Sequence, residues 1–131
     1  MNRRRSLFTL VLILLGLSAC RAPGAAQPLV VHDVYFTLED DSDERVSELV
    51  DACHEWLGEL PGIAFFAAGS RDLAHTGDVN DKEFDVSLHV WFESPEAYAS
   101  YSDDPKHLEF IETFVGNWAG VRVFDSRASG H

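Results

Sequence analysis

The chain has 131 residues, a length typical of a single domain, and its content of 46% hydrophobic and 11% aromatic residues is sufficient for a core. The formal net charge is −12, and it becomes −15 without the three arginines at positions 3–5, which we expect to be removed. Such acidity argues against nucleic-acid binding and against electrostatic adhesion to anionic lipids, so a membrane attachment would be covalent or apolar.

Residues 1–19 have the pattern of a signal peptide for export. The arginines at positions 3–5 precede an apolar run from Leu7 to Leu17 that is too short to span a membrane. The run ends in Leu17-Ser18-Ala19-Cys20, which resembles a lipobox, so we predict cleavage before Cys20 and lipidation of its thiol. The alternative is an ordinary signal peptide with a cysteine nearby. Residues 20–28 contain small residues and prolines, which predicts a flexible tether from the membrane to the domain.

The first half of the domain predicts one strand, one helix and a second strand. Leu29–Leu38 alternates between two faces, which is typical of a strand. The acid-rich segment 40–43 supplies an N-cap and first-turn acids for a helix that runs to about Leu60. Pro61-Gly62 ends this helix, and Ile63–Ala68 follows as the second strand.

The second half begins after an acidic loop of residues 71–83. Phe84–Phe92 has the clearest alternation in the chain and predicts a strand. Ser94-Pro95 and Asp104-Pro105 each combine an N-cap with a proline at the first helical position, so they predict two successive helices. Val121–Asp125 predicts the last strand.

The resulting order is β-α-β-β-α(α)-β, which predicts an α+β protein with a ferredoxin-like split βαβ fold and a four-stranded antiparallel sheet. We assign residues 29–126 to this domain and residues 127–131 to a disordered tail. The helices cover one sheet face, and the other carries the aromatic set Tyr35, His89 and Trp91. Since small domains cover such a face by pairing, we predict a homodimer.

Cys53 is the one cysteine besides Cys20, so a disulfide within the domain is not expected. It lies on a helical stripe with Leu49 and Leu57, which favours a small core residue over a reactive thiol. The sequence contains no metal-ligand or nucleotide-binding motif, so we predict no metal and no cofactor.

Several segments match the pattern of one family, and together they cover residues 31–126. The opening strand carries His32, Leu60-Pro61-Gly62-Ile63 is followed by Gly69–Leu73, and Phe92–Ala97 leads to Tyr101 and to Pro105-Lys106-His107. This series resembles the Dabb (stress-responsive dimeric A/B barrel) family.

The resemblance implies a dimeric α/β barrel with a cleft between each sheet and its own helices. In the polyketide cyclases of the family, a tyrosine and a histidine matching Tyr101 and His107 act on the ligand, alongside a histidine matching His32. We therefore take Tyr101 and His107 as candidate catalytic residues. The remaining candidates are the predicted ligand-binding residues of the cleft, His32, Val34, Phe36, Val86 and Leu88.

Three hypotheses for function remain. The leading one is a lipid-anchored, stress-associated envelope protein that binds a small apolar or aromatic ligand in the cleft. The second is a cofactor-free cyclase, isomerase or monooxygenase that uses His107 as a base and Tyr101 to polarise a carbonyl. The third is a non-catalytic interaction protein of the cell envelope, in which His107 and His32 have structural roles.

Overall fold

The computed structural model describes residues 29–129. The predicted signal peptide, the lipidation site at Cys20 and the whole predicted tether lie outside these residues. Within the described part of the chain, no helix is long and apolar enough to cross a membrane.

The described part of the chain contains four strands, which form one antiparallel sheet as predicted. They are β1 (Leu29–Leu38), β2 (Ile63–Ser70), β3 (Val86–Phe92) and β4 (Trp118–Ala128). Their spatial order is β2-β3-β1-β4, so the two central strands are β1 and β3 and the sheet is edged by β2 and β4. This arrangement confirms the predicted ferredoxin-like α+β fold.

Residues 29–129 form three α-helices, α1 (Asp43–Ala52), α2 (Pro95–Ser102) and α3 (Pro105–Phe114). Both predicted proline starts are confirmed, because Ser94 accepts a hydrogen bond from the amide of Ala97 and Asp104 accepts one from that of Lys106. The predicted cap of α1 differs. Ser42 makes no side-chain cap bond, and its own amide donates to the Asp40 carboxylate at 3.1 Å.

Two turns complete the helical layer. A π-helical turn, Cys53–Leu57, continues α1, and a 3-10 turn, Val115–Asn117, continues α3. Gly62 then reverses the chain into β2 with a φ of 82°, a left-handed conformation that disfavours side chains. A Cβ atom there would lie 2.6 Å from the Cβ of Ala97, so this glycine also allows α2 to pack closely against the turn.

The core lies between the helices and the inner face of the sheet. On β1 and β3 every second residue points to this side and is buried, as the period of a strand requires. The helices contribute one stripe each. The core comprises Val30, Val34, Phe36, Leu38, Leu49, Ala52, Cys53, Leu57, Val86, Leu88, Val90, Phe92, Tyr101 and Phe110.

The sequence-based boundaries of β3 and β4 were wrong. β4 begins at Trp118 and continues to Ala128, because Arg127 and Ala128 pair with Val30 and Leu29 instead of fraying as a tail. β3 begins at Val86, so Phe84 is outside the strand and its ring lies 5.0 Å from that of Tyr35. Residues 130–131 of the predicted tail lie outside the described residues.

The outer face of the sheet carries the predicted aromatic residues. Tyr35, His89 and Trp91 are half-buried there, and Phe65 on β2 is 47% exposed beside Trp91. Phe65 lies on this face because of a register shift between Ile63 and Phe65, which changes the face that the following residues occupy.

Candidate functional site

A cavity of about 190 Å³ lies between the inner face of the sheet and helix α3. Six of the seven residues predicted to form the cleft site line this cavity. The cavity-lining members of the predicted set are His32, Val34, Phe36, Leu88, Tyr101 and His107. Val86 does not line the cavity, since it is fully buried in the core.

The cavity opens at the β4 edge of the sheet. Val121 and Val123 face the helices from β4 and form part of the wall, yet they are 40% and 49% exposed. Because β4 is an edge strand with no neighbour beyond it, the helices leave this strand partly uncovered. A small molecule could therefore enter past these two valines.

Tyr101 and His107 stack against each other at the wall of the cavity. Their ring centroids are 4.5 Å apart, and the planes are inclined by 36°. Tyr101 is on the last turn of α2 and His107 on the first turn of α3, so the short Asp103-Asp104 connection brings the two rings together. The side chain of Tyr101 is buried, whereas that of His107 is only half-buried.

The hydrogen bond made by His107 decides which ring nitrogen is basic. Its Nδ1 lies 3.2 Å from the carbonyl oxygen of Ser102, and since a carbonyl can only accept, Nδ1 carries the proton. The free lone pair is then on Nε2. Burial lowers the pKa of His107 below its ordinary value, an effect that the bond to Ser102 partly opposes. The ring is therefore neutral at neutral pH, as a general base must be.

The third candidate, His32, is held by two side chains that the sequence analysis did not single out. His32 donates from Nδ1 to Asp125 Oδ1 at 2.7 Å, and the Tyr98 hydroxyl donates to the same carboxylate at 3.2 Å. His32 lies opposite Asp125 in the β1–β4 register, with its ring centroid 6.3 Å from that of Tyr101. Asp125 thus fixes the orientation of a second imidazole at the cavity wall.

Two buried hydrogen-bond donors on cavity-lining residues have no partner within residues 29–129. They are the hydroxyl of Tyr101 and Nε1 of Trp118. Burial raises the pKa of Tyr101 far above its ordinary value, so the hydroxyl keeps its proton and can donate. Buried tyrosine and tryptophan donors usually find a partner, and an unsatisfied one costs about 1–3 kcal/mol.

Neither Cys53 nor His75 lines the cavity. Burial raises the pKa of the Cys53 thiol to about 12, so Cys53 is unreactive at neutral pH. His75 is exposed and pairs with Asp72 at 2.8 Å. No group of three or more potential metal-binding side chains converges within the described range 29–129.

The residues that the sequence analysis missed are Trp118, Tyr98 and Asp125. Trp118 begins β4, and no local sequence pattern distinguishes a core tryptophan from one that lines a cavity. Asp125 had a signal that could have identified it. It alternates with Val121 and Val123 on the inner face of the last strand, and a carboxylate on an apolar face requires a partner.

The comparisons with known proteins agree with this fold. Residues 30–128 match the family described as Stress responsive A/B Barrel Domain (Dabb). No functionally curated protein shows a significant match to the sequence.

Solved structures of similar fold include three bacterial and plant proteins. A Dabb family protein from Mesorhizobium loti is 22% identical, with a TM-score of 0.65 over 79% of this chain and 100% of that one. A dimeric ferredoxin-like protein of unknown function from Thermobifida fusca is 16% identical, with a TM-score of 0.64 over 77% and 92%. The hydroxynitrile lyase of Passiflora edulis is 18% identical, with a TM-score of 0.63 over 79% and 95%. At these identities the likeness establishes the fold alone.

Proposed function

The chain belongs to the stress responsive A/B barrel (Dabb) family, and from that premise we propose that it binds a small, mainly apolar ligand in the cavity between its sheet and helices. The observation that carries the proposal is the pair of unpartnered donors, the Tyr101 hydroxyl and Trp118 Nε1, on residues that line an otherwise apolar cavity. A ligand whose acceptor oxygen reaches one of these donors would satisfy it, and the gain would favour that ligand over a plain hydrocarbon.

The size of the cavity limits the ligand to about one ring system. An engineered apolar cavity of about 150 Å³ in another protein binds benzene, and the present cavity has about 190 Å³. The wall residues Val34, Phe36 and Leu88 are apolar and can pack against such a ring. We therefore infer an aromatic or cyclic molecule with one carbonyl or phenolic oxygen.

The test compares acetophenone with ethylbenzene, which has a similar shape and no acceptor. We expect acetophenone to bind more tightly and to shift the indole N–H resonance of Trp118, because that group gains an acceptor. Tyr101→Phe and Trp118→Phe should each reduce the preference for acetophenone by roughly tenfold. Equal affinity of the two probes in the unaltered protein would contradict the proposal.

A second candidate function is enzymatic, and the hydrogen bond from His107 Nδ1 to Ser102 favours it. With Nε2 as a neutral base beside the Tyr101 hydroxyl, the pair suits removal of a proton next to a carbonyl. The proton would pass from carbon to His107 Nε2, and the hydroxyl of Tyr101 would donate to the oxygen that becomes an enolate.

A general-base probe tests this candidate without knowledge of the substrate. In 5-nitrobenzisoxazole, loss of the ring C–H proton to a base breaks the N–O bond and releases a coloured phenolate. We expect turnover that His107→Gln abolishes while acetophenone still binds. Turnover that is unchanged in His107→Gln, or absent in the unaltered protein, would leave the cavity as a binding site alone.

We also propose that the protein is a homodimer in which the outer sheet faces pack together. Exposed or half-buried aromatic residues on that face, including Phe65, Trp91 and Phe124, support it, as does the dimeric state of the Thermobifida fusca protein. Phe124→Glu should produce monomers by native mass spectrometry, whereas Leu108→Glu, on the equally exposed surface of α3, should remain dimeric.

The proposed location is the cell envelope, with the domain exported and held to a membrane by lipid on Cys20. The support is the sequence pattern of residues 1–20. Expressed at full length in a bacterium, the protein should fractionate with membranes and carry a diacylglycerol mass on Cys20, and Cys20→Ala should remove both. Membrane association that survives in Cys20→Ala would contradict lipid anchoring.

The hypothesis of a non-catalytic interaction protein makes a different prediction from the ligand-binding proposal. Such a protein would not prefer acetophenone to ethylbenzene.

A further inference from the structure

An exposed apolar strip borders the mouth of the inner cavity. Along α3 and the turn that follows it, Leu108, Ile111 and Val115 recur at helical spacing and share one flank. Leu108 and Val115 are 52% and 50% exposed. On β4, Val121 and Val123 continue the strip, and together with Ile111 they line the cavity. These five residues form the edge strip.

The packing of α3 determines where the edge strip lies. Phe110 and Phe114 face the α1 side of the helical layer, with ring centroids 6.4 and 5.8 Å from that of Trp56 in the π-helical turn. The strip occupies the other flank of α3, at the β4 edge of the sheet, where Ile111 shares the cavity wall with the two valines. It lies on the helix side of the sheet, so the proposed contact between outer sheet faces does not involve it.

The edge strip contains no charged side chain. On β4, Arg122 stands between the two valines in sequence but points to the outer face, where it pairs with Asp81. Asp125, the next residue on the inner face, accepts hydrogen bonds from His32 and Tyr98. Because the chain has a net charge of −12, its contact with a lipid surface depends on apolar side chains and not on charge attraction.

The predicted tether is long enough to bring the strip to a membrane. The residues between Cys20 and Leu29 can extend over roughly 28 Å. Leu29 pairs with Ala128 near the end of β4, and Val123 lies five residues back along that strand, at a distance of about 17 Å. A lipid on Cys20 would therefore hold the edge strip within reach of the bilayer.

The size of the edge strip favours a lipid surface over a second copy of the chain. A stable protein–protein interface takes roughly 20–30 residues from each partner, many more than the strip supplies. A short tether instead gives the domain a high effective concentration at the membrane, so that a small apolar contact is sufficient.

We propose that the edge strip docks on an uncharged lipid surface, with the mouth of the inner cavity opening onto the bilayer. This inference rests on the proposed lipid anchor at Cys20 and on the proposed ligand-binding role of the cavity. Docking provides a route for the ligand, because a mainly apolar molecule dissolved in the membrane reaches Val121 and Val123 without crossing water.

The test attaches the chain from residue 20 onward to phosphatidylcholine nanodiscs by coupling Cys20 to a maleimide lipid. Cys53 does not react, because its thiol is buried and has a pKa of about 12. The chain retains the whole fold, since residues 29–129 contain it and the Mesorhizobium loti structure is matched over 100% of its own chain. Methyl NMR is then recorded with and without a gadolinium chelate on the lipid headgroups.

We expect gadolinium to remove the methyl signals of Leu108, Val115 and Val123, because these side chains lie against the headgroups. Leu73 is the internal control. It is 70% exposed beside α1, away from the β4 edge, and its methyl signals should persist. Phosphatidylglycerol in the nanodiscs should reduce the loss at the strip, since the exposed carboxylates of Glu109 and Glu112 repel anionic headgroups.

Leu108→Glu should restore the Val123 signal in the presence of gadolinium. Burial of a half-exposed leucine favours the lipid by about threefold to tenfold, and the new carboxylate opposes docking further. The docked fraction should therefore fall by about tenfold or more. Leu73→Glu is the matched control and should change nothing. Leu108 does not line the cavity, so Leu108→Glu should also leave acetophenone affinity unchanged.

Equal signal loss at Leu73 and at the edge strip in the unaltered protein would overturn the proposal, and this comparison needs no variant. Stronger loss in the presence of phosphatidylglycerol would overturn it as well, because the contact would then be electrostatic. Strip methyls that shift with protein concentration in the absence of lipid would assign the strip to a second copy of the chain. The experiment contains no ligand, and Cys20 is coupled chemically. Its failure is therefore distinct from a failure of acetophenone binding or of lipidation in the cell.

Discussion

The two central strands carry one histidine each, and these make the same contact on opposite faces of the sheet. On the inner face His32 Nδ1 lies 2.7 Å from Asp125, and on the outer face His89 Nδ1 lies 2.7 Å from Asp33. Their surroundings differ. The His32 side chain is 11% exposed at the wall of a helix-covered cavity, whereas that of His89 is 32% exposed on a face with no helices.

The difference shows that pairing with a carboxylate does not by itself make a histidine part of a site. On the inner face the helices add Tyr101, His107 and Trp118, so His32 shares an enclosed space with three other hydrogen-bonding side chains. On the outer face the cover is the loop of residues 71–84, and it brings charged groups that are mostly paired already. The inner face therefore suits an apolar ligand with an acceptor oxygen, whereas the outer face presents aromatic rings beside charges that are mostly paired.

The largest expected difference between the two faces is in stability. Phe92 is fully buried on the inner face, so Phe92→Ala should lower the free energy of unfolding by about 3–5 kcal/mol through lost burial and a cavity. Phe124 is 55% exposed on the outer face, and Phe124→Ala should cost less than half as much in a protein held monomeric by dilution. Urea unfolding of both variants is the measurement. Equal losses of unfolding free energy in the two variants would mean that Phe124 contributes to the core of the single chain as Phe92 does.

Much of this division could be predicted from the sequence. The alternation in β1 and β3 assigned Val34, Phe36 and Leu88 to the inner face, and the two N-cap and proline pairs located α2 and α3, because both signals are local. Tyr101 and His107 followed from the family resemblance, and the cavity brings both together.

The parts that could not be predicted depend on strand register. His32 and Asp125 are 93 residues apart, and they meet only because β1 and β4 pair with these two residues opposite each other. A register shift likewise moved Phe65 to the outer face, and the chain turns before Val86, so that Phe84 reaches Tyr35. Local periodicity contains no information on which residues of two distant strands face each other.

The second expected effect is a pH dependence that belongs to the inner face. Because burial lowers the pKa of His107, the unfolded chain binds more protons than the folded one between the lowered value and the ordinary value of about 6.5. Stability should therefore fall as the pH falls through about 6.5, and the loss should stop below the lowered pKa. Urea unfolding from pH 7.5 downward measures it.

His107→Gln should flatten this dependence, since glutamine does not titrate. His75→Gln, which removes an exposed imidazole from the outer loop, is the matched control and should leave the curve unchanged in shape. A curve of the same slope in His107→Gln would assign the pH dependence to other groups and remove the support for a neutral His107.

The smallest expected effect concerns two tyrosines whose hydroxyl groups differ in their hydrogen bonding. The Tyr98 hydroxyl donates to Asp125 and lies 3.2 Å from His32 Nδ1, whereas the Tyr101 hydroxyl is buried with no partner in the described chain. Tyr98→Phe should therefore lower the free energy of unfolding by about 0.5–1.5 kcal/mol. Tyr101→Phe should leave it unchanged or raise it, because it removes an unsatisfied buried group.

The same pair of variants should show the opposite order in ligand binding. Tyr101→Phe should weaken acetophenone, whose oxygen replaces the missing acceptor, and Tyr98→Phe should affect it little because its hydroxyl is already bonded to Asp125. A hydroxyl that lowers the stability of the empty protein but raises its affinity for a ligand has a role in ligand binding. If Tyr101→Phe instead destabilised the empty protein as much as Tyr98→Phe does, the Tyr101 hydroxyl would have a hydrogen-bond partner within the protein. The main observation in favour of a binding site in the inner cavity would then be lost.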